Sequence, residues 1–184
     1  MTDLSKQFLL KLARQTIEHY FTTGKILETT TPADHELLEK RGTFVTLTKN
    51  GLLRGCIGHI EPIQEIFKDV MDNALAAAFE DSRFNPLERW EMGDIEIEIS
   101  ILTQPQELVY TSVDDLLNKL QPLRDGVIIE KRRYGATYLP QVWEEFENKE
   151  VFLSSLCEKA GLPVDEWKSG QLKVSTYQAE VFYE

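Results

Sequence analysis

Residues 53–58 read LRGCIG, and no other stretch of the chain packs chemistry as densely. Arg54 stands two residues before Cys56, Gly55 and Gly58 flank the cysteine, and His59 follows directly. A cysteine attacks as its thiolate, the form that a neighbouring guanidinium favours. On an extended strand, residues two apart share a face at roughly 6.5–7 Å. Arg54 and Cys56 are therefore expected to point the same way. At an effective dielectric of about 20–40, the arginine would favour the thiolate by about 1–2 kcal/mol. That is roughly one pK unit. It raises reactivity without making a catalyst, because a catalytic cysteine also needs a base or a helix N-terminus. His59 is expected on the opposite face and reaches Cys56 only if Gly58 bends the strand. A helix opening at Pro62 could instead offer N–H groups to an anion.

Each of these residues also carries a structural reading that the sequence leaves open. Gly55 and Gly58 weaken a strand, so they serve either a ligand approaching the backbone or a helix packing tightly across them. Cys56 can be a small buried hydrophobe. Arg54 in an apolar stretch needs an acidic partner or an anionic ligand. Arg83, in the segment 81–86, can neutralise a helix C-terminus, pair with Asp81, or join Arg54 in a two-arginine anion site. Glu98 could orient such an arginine or simply be solvated, and Glu180 is similar.

Other signals are weaker. Lys131, Arg132, Arg133 and Tyr134 form a basic cluster with an adjacent aromatic, which suits a solvated hairpin tip or an RNA contact. Residues 55–58 formally make a GxxG, but within a hairpin strand of an acidic protein. Cys157 shares a helical face with Leu153, Leu156 and Ala160 and reads as core. His19 and His35 have no partner at metal-ligand spacing. The chain has no HExxH, CxxC, P-loop, Rossmann fingerprint or GxSxG, so no cofactor or metal is expected.

The positioning elements follow from periodicity. Residues 5–20 repeat apolar positions every three or four residues, ending at Gly24. A shorter helix is expected over 34–41. Residues 43–48 are rich in β-branched side chains, and Asn50-Gly51 suits a type I′ turn into a partner strand over 52–60. With a two-residue loop, Val45 and Leu47 should face Cys56 and Arg54. A helix is expected from Pro62 to about Asp81. Residues 94–102 alternate strictly, with Ile95, Ile97, Ile99 and Ile101 on one face. A helix capped by Ser112 runs to Leu120, and a hairpin joins 127–130 to 136–139. A helix over 150–160 ends at Gly161, and a last strand covers 172–182. The expected class is α+β, a mostly antiparallel sheet with hairpins and packed helices, in one domain over 1–184.

Composition narrows the partners. Thirty-one acids against 20 bases give a net charge of −11, which repels phosphate backbones and anionic lipids. That balance disfavours nucleic acid as a partner, and no apolar run suits a membrane. The N-terminus lacks a signal-peptide pattern, so a cytoplasmic location with reduced cysteines is expected.

The hexapeptide resembles the signature of the AMMECR-type domain family. The likeness extends through residues 42–47, 81–86, 97–100, 125–126, 139–143, 156–162 and 178–182. It implies one α+β unit with two unequal lobes and a cleft near the hexapeptide. It further implies a pathway shared with Memo-like and radical SAM proteins. The leading expectation is a small anionic metabolite bound by Arg54, Gly55, Gly58, His59, Arg83 and Glu98. If the protein is an enzyme, Cys56 is the candidate nucleophile. A non-catalytic adaptor is the alternative, and RNA binding the third reading.

Overall fold

Leu9, Leu12, Ala13 and Ile17 line one stripe of helix α1 (Asp3–Thr23) and are buried. Thr2 caps its start, its side chain accepting from the Ser5 N–H, and Gly24 ends it at φ 68°. Helix α2 (Ile66–Phe79) packs against α1 and against strands β1 (Thr43–Lys49) and β2 (Leu52–His59). Strands β3 (Ile95–Leu102) and β8 (Ala179–Tyr183) complete a sheet of order β2-β1-β3-β8. Val45, Leu47 and the four alternating isoleucines of β3 form the core face. Full burial of such a side chain contributes about 1.5–3 kcal/mol. This sheet and the two helices belong to one compact unit, Met1–Leu102 with Glu180–Glu184. The structure is a computed structural model describing residues 1–184.

The second unit, Thr103–Ala179, has its own core. Its sheet contains β4 (Gln106–Glu107), β7 (Lys173–Tyr177), β5 (Gly126–Lys131) and β6 (Tyr134–Tyr138), in that order. Helices α3 (Val113–Lys119) and α4 (Lys149–Lys159) belong to this unit, capped by Ser112 and Asn148. Trp143 stacks on Phe152 with ring centroids 3.5 Å apart. Cys157 is fully buried in this core.

The chain is α+β with antiparallel sheets, as the periodicities predict. Four local expectations need correction. Residues 34–41 hold only a short 3-10 turn, His35–Leu38, because Glu39 turns extended and Lys40 bridges Glu65. The same bridge delays α2 to Ile66, whose N–H bonds to the Glu39 carbonyl, and Ile63 is left exposed. The last strand divides at Gln178 into β7 and β8, which join different sheets.

The fourth correction concerns the hexapeptide. The β1–β2 register slips between Leu47 and Thr48, so Leu47 faces Gly55 and Thr48 faces Leu53. Arg54 is the extra residue of this bulge, which re-aims its side chain. Cys56 lies opposite Thr46, with Glu98 across from Thr46 on β3, in place of the expected wall of Val45 and Leu47. No helix is long and apolar enough to cross a membrane.

Gly55 faces the core. A Cβ built there would lie 2.1 Å from the backbone carbonyl oxygen of Ala77, so α2 crosses directly over the strand. Gly55→Ala is therefore expected to lower stability by about 1–3 kcal/mol or more. Urea unfolding measures this; an unchanged midpoint would show that α2 does not press on β2.

Candidate functional site

β2 is an edge strand, paired only with β1. Edge strands leave backbone groups without a ladder partner. At Cys56 the segment after α2 supplies those partners. The Cys56 N–H donates to Asp81 Oδ2 at 2.8 Å, and the Cys56 carbonyl accepts from Arg83 Nη2 at 3.2 Å. Arg83 in turn grips Asp81 through Nε at 2.9 Å and Nη2 at 2.6 Å. The Arg83 N–H also donates to Asp81 Oδ1. Asp81 is buried, and the Arg83 guanidinium is the main cause that holds its carboxyl down at about 2.

Arg54 makes a separate closure. Its Nε and Nη2 donate to the two oxygens of Glu91 at 3.1 and 2.8 Å, the two-bond geometry that suits a guanidinium. Nη1 donates to the Asn85 carbonyl and Nη2 also reaches the Pro86 carbonyl. Glu91 accepts from Lys49 Nζ and from the Glu88 N–H as well. Chiefly through Arg54, its carboxyl is held down at about 2. Lys49 lies over the exposed Trp90 ring at 4.2 Å. Arg54 is thus occupied by an acidic partner of its own chain.

Cys56 is half-buried, and Thr46 Oγ1 donates to its Sγ at 3.2 Å. Burial pushes the thiol above its ordinary value. The Thr46 bond and the Arg83 charge act downward, whereas Asp81 and Glu98 add to the rise. Arg83, rather than Arg54, is the cation that bears on the sulfur. The expected activation of Cys56 by Arg54 is therefore absent, because the bulge sends the guanidinium to Glu91.

His59 faces α2. Its Nδ1 lies 2.8 Å from Asp69 Oδ1, and His59 pairs in register with Thr43, not with the Thr46–Cys56 row. Gly58 lies close under the Phe44 ring, where a Cβ would meet ring carbon at 2.2 Å. Glu98 shares the row of Thr46 and Cys56. The candidate residues thus fall into three places: Arg54 with Glu91; Cys56, Arg83 and Glu98 with Asp81; and His59 with Asp69. No group of three or more His, Cys, Asp or Glu side chains is placed to hold a metal ion.

Sequence reasoning overlooked Glu91 and Asp69. Asp69 had a readable signal, since Asp69 and Asn73 stand four apart beside the apolar positions Ile66, Val70 and Ala74 of α2. Glu91 had none, because its partner lies 37 positions away.

Two expectations follow. The carboxyls of Asp81 and Glu91 are depressed in the fold, so their contribution is complete above the unfolded values of 3.8 and 4.5 and is lost as pH falls towards about 2. Asp81→Asn or Glu91→Gln should flatten the decline of unfolding free energy across that window. Equal slopes for variant and parent would contradict the depression. In a Cys157→Ala background, the alkylation rate of Cys56 should rise with a midpoint above that of a free thiol. A midpoint below it would restore the case for a nucleophile.

A family model described as AMMECR1 matches residues 10–182. A Pyrococcus abyssi protein is 41% identical over 188 residues, covering 97% of this chain and 89% of that one. A Methanopyrus kandleri protein is 40% identical over 186 residues, covering 97% and 87%. The crystal structure of the uncharacterized protein PH0010 from Pyrococcus horikoshii matches with a TM-score of 0.92 at 38% sequence identity, covering 100% of this chain and 93% of that chain. The LRGCIG resemblance, the relatives matched over 97% of this chain and the shared fold agree: this chain belongs to the AMMECR1 family.

Proposed function

We propose that the protein is a binding protein that holds a small anionic ligand at the β2 edge, with Arg83 as the contact and Cys56 as a lining residue. The observation that carries this reading is the state of Arg83. Asp81 and the Cys56 carbonyl fix its Nε and Nη2, yet the side chain is 55% exposed. Nη1 is committed to none of these bonds. A guanidinium immobilised in this way has already lost its rotamer freedom, so less entropy opposes ligand capture. The raised thiol argues for a lining role over attack on a substrate. Arg54 acts indirectly, by anchoring the bulge on Glu91.

The family resemblance, and no contact in this structure, is the basis for placing the protein in a pathway with Memo-like and radical SAM proteins. A second reading, docking of a partner protein, has one observation in its favour. Leu52, Leu53 and Trp90 are exposed at the hairpin tip, where Leu52 pairs with Lys49 and Trp90 stacks on it.

Native mass spectrometry of freshly isolated protein tests the proposal. A small-molecule adduct should be present, lost in Arg83→Ala and kept in Cys56→Ser. Protein without an adduct, or an adduct indifferent to Arg83, would overturn it. A complex with a second protein that dissociates in Trp90→Ala would favour docking.

A further inference from the structure

The contact between His59 and Asp69 is more elaborate than packing α2 on the sheet requires. Asp69 is 1% exposed, and four donors converge on its carboxylate. Thr43 Oγ1 donates to Oδ2 at 2.6 Å and Asn73 Nδ2 to the same oxygen at 3.1 Å. Gln64 Nε2 reaches Oδ1 at 3.3 Å, and His59 Nδ1 lies 2.8 Å from Oδ1. Asn73 Nδ2 also bonds the Thr43 hydroxyl and carbonyl, which fixes the direction of that hydroxyl. The amides of Asn73 and Gln64 can only donate through nitrogen, so Asp69 is the acceptor throughout.

An acceptor-only carboxylate on Nδ1 assigns the imidazole proton to Nδ1. In the neutral ring Nε2 then carries the lone pair, and it makes no hydrogen bond within the chain. The side chain of His59 is 41% exposed while its orienting carboxylate is almost wholly covered. This is the arrangement in which a buried acid fixes the tautomer and orientation of a histidine.

We propose that His59 and Asp69 form a proton-transfer site, distinct from the Arg83 edge and independent of the ligand proposed there. In the step, an O–H or N–H bond of the substrate breaks and its electron pair stays on the oxygen or nitrogen. The proton moves to Nε2, giving an imidazolium held by the Asp69 carboxylate, and later returns to the product. No oxidant, reductant or cofactor enters the balance. Asp69 is a positioning residue. The surroundings set the substrate class: Gln64 bridges Asp69 to the exposed carboxylate of Asp72, at 2.7 Å, and Glu61 is exposed two residues from His59. That acidic rim disfavours anions and suits a neutral or cationic small molecule.

Diethyl pyrocarbonate is a direct probe, since it acylates a neutral imidazole nitrogen that solutes can reach. The chain holds three histidines, and His19 and His35 serve as internal references. Mapping of the intact protein should show His59 modified several-fold faster than either reference, at Nε2. Asp69→Asn should bring that rate down to the reference level, and nitrogen NMR should show its histidine proton moved from Nδ1 to Nε2. A parent His59 that reacts no faster than His19 and His35, or that carries its proton on Nε2, would overturn the proposal. An Asp69→Asn chain with unchanged rate and tautomer would also overturn it. Should Asp69→Asn fail to fold, the parent's tautomer and relative rates still decide.

Discussion

An edge strand with a cysteine at its centre needs partners for an outward N–H and carbonyl, and β2 receives both from one side-chain pair. Asp81 takes the N–H of Cys56, Arg83 takes its carbonyl, and the two side chains grip each other. Two residues of the post-helix segment thereby stand in for a missing strand. This occupies the edge at Cys56, where an added strand would otherwise bond. It also fixes Arg83 beside Cys56 and holds the end of α2 against the strand that Gly55 lets it approach.

The other residues of the hexapeptide divide around that clamp. Arg54 leaves the strand at the bulge and is satisfied by Glu91, so the arginine that looks most chemical is the most structural. Gly55 is small because α2 crosses it, and Gly58 because the Phe44 ring covers it. Cys56 remains as a half-buried thiol between Thr46 and the Asp81–Arg83 pair. Desolvation raises a thiol by disfavouring its charge, and here it outweighs the nearby guanidinium. His59 turns away from all of these to Asp69. One strand thus presents different chemistry on its two faces.

Much of the fold was legible because period and burial agree. The four isoleucines of β3, the stripe of α1 and the Asn50-Gly51 turn, with Asn50 at φ 52° and Gly51 at φ 76°, each announce one local solution. The start of α2 was not legible, because a backbone bridge between Lys40 and Glu65 decides it against the preference of Pro62 for a first turn. At the site, the need of Arg54 for an acidic partner or an anionic ligand was readable, whereas the identity of that partner and the directions of Arg54 and Cys56 were not. A single inserted residue re-aims an entire side chain, and nothing in the alternation of a strand marks where a bulge falls. The pairing of Arg54 with Glu91 and of His59 with Asp69 also depends on contacts between elements, which spacing alone does not carry. Arg83 with Asp81 was accessible, since the pair lies within one turn.

Amide hydrogen exchange at Cys56 tests the clamp most directly. In the parent protein its N–H should be protected to nearly the same degree as the amides of β1, although β2 lies at the edge of the sheet. In Asp81→Asn that protection should fall selectively at Cys56 while the β1 amides keep theirs. A Cys56 amide that exchanges freely in the parent, or one whose protection survives the substitution, would contradict the account.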